Sequence, residues 1–301
     1  MDPPSRTEGA SVIKTTRTTW ILAPAALLAL TLLLSVTPPG AAAPPVAPKT
    51  LELGKGPTIV LVHDLGGNRS VWMPTVRKLL GKYRVVMVDL PGHGESPAPD
   101  PFTFESAAEA LDLVLAKQNP DSTVLVGKGI GGMLALLDLK AHPGRVRGLV
   151  VIETPLKSSL KVDDQEIKYF LQMLDSNYDQ VLKMIFSRAG KDSAQGVAIH
   201  AMAAQVPPQT IKSYIGASLT GDATSALKSL QVPFLFVATD RLFKGGKTPG
   251  TALRELGYED TTSVPMRRIT NAGYLVMQDQ PDTLAAVIAD FTVRALAGKK
   301  K

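Results

Sequence analysis

This sequence predicts an α/β fold: a mostly parallel central sheet flanked by helices, with a helical cap inserted into it. Three observations carry that expectation. From residue 50 onward, short apolar β-branched runs alternate with amphipathic stretches, the pattern of strands linked by helices. Most of these runs are apolar throughout rather than alternating, as expected for strands covered on both faces. Between Leu156 and Leu230 the strand pattern stops and helical periodicity takes over. A hydrophobic content of 45% over 301 residues is enough for one large domain with a sizeable core and argues against global disorder.

Taken in order, residues 1–19 are polar and carry Arg6, Lys14 and Arg17, and Trp20 to Val36 is an apolar run. Small residues from Pro38 to Ala43 follow it. Basic, then apolar, then small is the order of a secretory signal, so residues 1–43 are predicted to be a signal peptide or signal anchor. The small residues offer a cleavage site near Ala42, and Pro44 disfavours cutting directly before it. The expected location is therefore exported, periplasmic or extracellular, or membrane-anchored through this segment. Residues 44–49 read as a Pro/Ala-rich linker. The domain is expected over 50–301, with its cap insertion at about 156–230. Strands are predicted at Thr58–His63, Tyr83–Asp89, Ser122–Gly127, Val146–Glu153, Val232–Thr239 and Met266–Thr270, and a weaker one at Thr50–Leu53. Helices are predicted at about Ser70–Leu80, Thr103–Gln118, Ile130–Ala141 and Pro281–Leu296, the last opening on a first-turn proline. In the insertion, Phe170, Met173, Met184, Phe186 and Tyr214 are expected to be core and pocket lining.

Charge and cysteine content narrow the chemistry. A net +6 comes from lysines and arginines spread along the chain, with one tight run at Lys299–Lys301. Neither a basic stripe nor a nucleic-acid motif is present, so no nucleic-acid partner is expected. With no cysteine, disulfides, thiolate metal sites and a cysteine nucleophile are excluded. No cofactor is expected.

Five segments then agree with one family. They are Ile59–Gly67, with His63-Asp64; Val88–Ser96, reading Asp-Leu-Pro-Gly-His-Gly-Glu-Ser; Val124–Gly132, with Gly127-Lys128-Gly129-Ile130-Gly131; Val232–Asp240; and Ile269–Pro281, with Gly273-Tyr274. In this order and spacing, over roughly residues 50–297, the chain resembles the α/β-hydrolase fold superfamily, of the AB hydrolase-1 kind. The resemblance implies about eight strands, a helical cap, a pocket between them, and a nucleophile, an acid and a histidine in that chain order. It places these at Gly129, Leu242 and Tyr274. Glycine has no atom to attack with. A phenol whose ordinary pKa is near 10 is a poor general base. Asp240 lies two residues early for the acid, and Glu153 is an alternative acid position.

The remaining reactive groups are few. Of four histidines, His63 and His93 are expected to be loop-packing residues, and His142 and His200 carry no expected role. With Asp64 and Asp89, His63 and His93 form a weak metal or acid–base constellation, and no metal is expected there. Asp64, beside the expected oxyanion loop, is expected to turn outward or to be structural, and Lys128 to pack behind the elbow. The amides of Leu65 and Ile130 are a candidate anion-binding pair. The candidate pocket and oxyanion region is therefore His63, Asp64, Leu65, Lys128, Gly129, Ile130 and Tyr274. No residue is expected to be catalytic by a triad mechanism. The leading expectation is an exported pseudoenzyme with a degenerate triad that binds a small apolar or carboxylate-bearing ligand or a protein partner, touching membrane only through its N-terminal segment. The alternative is an active ester or lactone hydrolase, or a lyase, with rewired residues drawn from Lys128, Asp64, His63 and Tyr274.

Overall fold

A computed structural model describes residues 44–158 and 163–298. The predicted signal or anchor at 1–43 lies outside the described residues. Among the described residues, no helix is long and apolar enough to cross a membrane. Residues 44–49 carry no regular secondary structure. Lys49 is tied to the domain: its amide donates to Ser96 Oγ at 2.8 Å and its carbonyl accepts from the Asp89 amide at 3.0 Å.

A seven-stranded sheet forms the centre, in the order β1-β3-β2-β4-β5-β6-β7. Its strands are β1 (Thr50–Gly54), β2 (Thr58–Val62), β3 (Arg84–Val88), β4 (Thr123–Lys128), β5 (Gly148–Ile152), β6 (Phe234–Thr239) and β7 (Met266–Ile269). Only β1 runs antiparallel, against β3. The five central pairings are parallel. The predicted strands sit where their apolar runs lie. β2, β4 and β5 are buried at every residue, which is why they read as unbroken hydrophobic runs rather than alternations.

Helices cover both faces: α1 (Met73–Leu79), α2 (Phe104–Leu115), α3 (Ile130–Ala141), α9 (Pro249–Glu255), α10 (Val276–Asp279) and α11 (Pro281–Ala297). Between β5 and β6 the insertion folds into α4 (Asp164–Ser176), α5 (Tyr178–Phe186), α6 (Ser193–Ala203), α7 (Pro208–Thr220) and α8 (Thr224–Lys228). Its neck is closed by a bridge between Lys157 and Asp222. α2 opens on a capping box at Thr103 and Ser106, and α4 on one at Asp163 and Glu166; each satisfies two end amides.

Two apolar clusters, one holding Ile59, Trp72 and Ile288 and the other Val60, Leu134 and Phe236, fill the domain. Cap residues Leu174, Leu182, Phe186, Ile199 and Ile211 join the first. Tyr214 joins the second, where its hydroxyl donates to the Pro91 carbonyl at 3.0 Å. Met184, expected to line a pocket, is exposed instead. One core group stands out: Asp138 on α3 is fully buried and neither carboxylate oxygen has a hydrogen-bond partner. Burial pushes its carboxyl up to about 8.

The strand order fixes where function can sit. After β2 the chain moves to one side of the sheet, to β3, and then crosses back to β4 on the other. That reversal leaves a crevice between the C-terminal ends of β2 and β4, whose residues pair Val62 with Gly127. Asp64 follows the first of these strands and Gly129 the second.

Candidate active site

The turn between β4 and α3 is the elbow anticipated from the sequence. Gly129 sits at φ 51°, ψ −118°, a backbone region that residues with a side chain seldom adopt. Cβ atoms at Gly127 and Gly131 would run into the backbone of Gly132 and His63, so both flanks must stay bare for the turn to close.

What fills the space over Gly129 is Asp64. A Cβ built on Gly129 would overlap all three carboxylate atoms of Asp64. Of the two expectations for Asp64, outward or structural, the outward orientation is corrected: it points inward and ties the loop to the elbow. Its Oδ1 accepts from the amide of Leu65 at 2.8 Å and that of Ile130 at 2.9 Å. These are the two amides expected to bind an anion, and the chain's own carboxylate holds them. Oδ2 accepts from Lys128 Nζ at 3.0 Å. Lys128 does not pack away behind the elbow; its side chain is buried and its Nζ lies 3.8 Å from the centre of the Tyr274 ring. Burial works to raise the Asp64 carboxyl. The charge of Lys128 and the hydrogen bonds from Ile130, Lys128 and Leu65 together outweigh it and hold the group below the usual carboxylate range.

Tyr274 occupies the place expected for a histidine. Its hydroxyl donates to the Leu65 carbonyl at 2.9 Å, bracing the oxyanion loop. Burial first, and the Asp64 charge second, push this phenol well above its ordinary value, so it stays neutral. On its other side Arg241 lies 5.7 Å from the ring centre and pairs with buried Glu153 at 2.8 Å. Glu153 adopts φ 47°, held there by Arg241 and by the Thr239 hydroxyl and amide. Two ion pairs thus flank the neutral Tyr274 ring, Glu153 with Arg241 and Asp64 with Lys128, each presenting its cation to the ring. Asp240 is committed elsewhere: it accepts from Arg268 at 2.9 Å and from the Asn271 amide at 2.7 Å. Leu242, at the expected acid position, packs on the apolar cluster around Phe236.

His63 and His93 are framework. His63 Nδ1 donates to the Asp64 carbonyl at 2.7 Å and Nε2 accepts from the Leu90 amide at 2.9 Å, which assigns its tautomer. His93 Nε2 accepts from the Gly66 amide at 3.2 Å. Burial lowers His63 to about 4 and His93 to about 3, so both are neutral at pH 7. Both ring nitrogens of His63 are engaged inside the fold, and Asp89 is held by Arg69 at 2.5 Å. The cap closes directly over the loop: a Cβ on Gly66 would meet Phe186 and Ala203. Beside the site opens a cleft of about 490 Å³ lined by Lys191, Asp192, Asp240, Arg241, Lys244 and Ala272.

Sequence reasoning did not join Arg241 to Glu153, since their meeting depends on the left-handed backbone at residue 153. It also passed over a second cluster, Asp112, Asp138 and His142, whose donor atoms lie within 4.8 Å of one another. The aspartate at position 138, inside the apolar run of α3, was the signal for it.

The fold matches solved hydrolases. A hydrolase from Oleispira antarctica superposes with a TM-score of 0.67 at 15% identity, covering 84% of this chain and 95% of that one. Among curated proteins, a pimeloyl-[acyl-carrier protein] methyl ester esterase from Pseudoalteromonas atlantica is 32% identical over 49% of this chain and 59% of its own length. One of the same name from Aeromonas hydrophila is 26% identical over 80% of this chain and 97% of its own length. These relatives are named as enzymes. That finding overturns the expectation of a pseudoenzyme, which rested on the residues at 129, 242 and 274, and favours the alternative of an active hydrolase. A profile described as the alpha/beta hydrolase family matches residues 59–287 of the 301, and the chain belongs to that family.

Proposed function

We propose that the protein is a carboxylic-ester hydrolase in which Asp64, not a serine, works at the elbow. One observation carries this reading: a charged carboxylate lies over Gly129, on the two amides that would hold an oxyanion, with an ammonium at 3.0 Å. At rest Asp64 stands in for the carboxylate product. An ester carbonyl entering the crevice displaces it. The vacated amides of Leu65 and Ile130, with Lys128 Nζ, then receive the carbonyl oxygen as it gains negative charge. Once off those donors, Asp64 loses what holds its proton affinity down and becomes a better base. It takes a proton from a water; that water's oxygen bonds to the carbonyl carbon. The tetrahedral oxyanion collapses, the bond to the alkoxy oxygen breaks, and the proton passes from Asp64 to the departing alcohol. Water and ester give acid and alcohol with no acyl-enzyme. Neutral Tyr274 keeps the loop in register through the Leu65 carbonyl.

The relatives' name directs the choice of substrate toward methyl esters of acyl chains. The protein is further read as exported or tethered through residues 1–43, on their basic, apolar and small-residue order. Fractionation of cells expressing the full chain tests that location.

Assay of the purified protein on short p-nitrophenyl and methyl esters tests the activity. We expect steady turnover without a burst, reduced about 10²-fold or more in kcat by Asp64→Asn, the range typical of a lost general base. No turnover by the folded parent on any ester, or undiminished turnover in Asp64→Asn, overturns the proposal.

A further inference from the structure

A second site lies at the opposite end of α3. We propose that Asp112, Asp138 and His142 form a binding site for a divalent transition-metal ion such as Zn²⁺, which staples α2 to α3. Asp112 is on α2 and Asp138 on α3, and His142 is the residue that ends α3. Their donor atoms fall within 4.8 Å of one another.

The independent observation is Asp138. A carboxylate with no exposed surface and two unpartnered oxygens is among the costliest groups to bury. Native interiors satisfy such groups with protein, water or an ion. Every other member of the cluster has a partner that leaves capacity to spare. Arg145 forks onto Asp112 at 2.6 and 2.9 Å. His142 Nε2 stands 3.1 Å from both oxygens of Glu109 and 4.0 Å from Asp112 Oδ2. Three carboxyl groups thus share one guanidinium, a surplus of oxygen donors that a metal ion can take up. The cluster also sits at the C-terminal end of α3, where the helix dipole favours a cation.

Donor chemistry narrows the ion. One imidazole and two carboxylates suit Zn²⁺, Co²⁺ or Mn²⁺ better than Mg²⁺ or Ca²⁺, which prefer oxygen alone. Tetrahedral ligands at ordinary Zn bond lengths stand about 3.3–3.5 Å apart, so the donors must draw in by about 1 Å. His142 and Glu109 are partly exposed and provide the entry side. α3 is about 18 Å long at 1.5 Å per residue, so the ion lies far from Gly129 and takes no part in ester chemistry.

The test uses the full chain stripped with a chelator and titrated with Co²⁺ and, separately, Zn²⁺. We expect a saturable visible Co²⁺ band at one ion per chain and a Tm rise of several degrees with Zn²⁺. Asp138→Asn and His142→Ala should each weaken binding at least tenfold, with ester turnover unchanged. His142→Ala, at a partly exposed position, keeps the test valid should Asp138→Asn fold poorly. Absence of both the band and the Tm shift overturns the site, as does a band that survives His142→Ala.

Discussion

At the scale of single residues, the pair Gly129 and Asp64 defines this site. The elbow has room for Asp64 because residue 129 has no side chain, and residue 129 tolerates its backbone angles for the same reason. The two positions should therefore be coupled. Gly129→Ser alone is expected to lose about 2–3 kcal/mol, from a left-handed serine and from collision with the carboxylate. In an Asp64→Gly background the same change should lose only about 1 kcal/mol. Urea denaturation of the four proteins measures the difference, and strictly additive losses would separate the two residues. Which residues stand at 63, 64, 128, 129, 130 and 274 was legible in the sequence. The direction of Asp64 was not, because it depends on Lys128 and Ile130, which lie 64 and 66 residues away. A carboxylate next to a loop reads as solvated until the cation that draws it inward is placed.

At the scale of elements, the cap and the oxyanion loop are one packed unit. Phe186, at the end of α5, lies against Gly66 and leaves little free travel between them. Phe186→Ala should destabilise the fold by about 3–5 kcal/mol, as for other buried aromatics cut to alanine. The same change should lower KM for bulky esters if the cap gates the crevice, and steady-state kinetics beside a urea curve separates the two effects. Strands and helices of the sheet were readable because continuous apolar runs and 3.6-residue periodicity are local signals. The count was less so: seven strands are described where the resemblance implied about eight. The packing within the insertion was harder still. Met184 belongs to a sound amphipathic pattern, yet its own side faces solvent. Periodicity locates a helix's apolar stripe without saying where the stripe ends.

For the whole molecule, buried titratable groups set a stability profile with a maximum. His63 and His93 are lowered to about 4 and about 3, so the unfolded chain binds two more protons than the fold between roughly pH 4 and 6.5, and stability falls with acid across that window. Asp64, held below its ordinary value, adds a further loss of stability at still lower pH. Asp138, raised to about 8, works in the other sense: the fold holds a proton that the unfolded chain releases above about 4, so its contribution falls as pH rises toward 8. The two histidines outweigh it on the acid side and it acts alone on the other. Stability in chelator should therefore peak near pH 6.5, and Asp138→Asn should flatten the alkaline limb and steepen the acid one. Urea midpoints from pH 4.5 to 8.5 check both limbs.

The bare elbow also has a pharmacological consequence. Organophosphates, sulfonyl fluorides and β-lactones stop hydrolases by bonding to a serine or cysteine at this turn. Here residue 129 offers no hydroxyl, and no thiol exists anywhere in the chain. Such warheads find no hydroxyl or thiol at residue 129, so a screen that tags catalytic serines or cysteines would pass over an enzyme of the kind proposed, and reversible anions that compete with Asp64 are the natural starting point for an inhibitor.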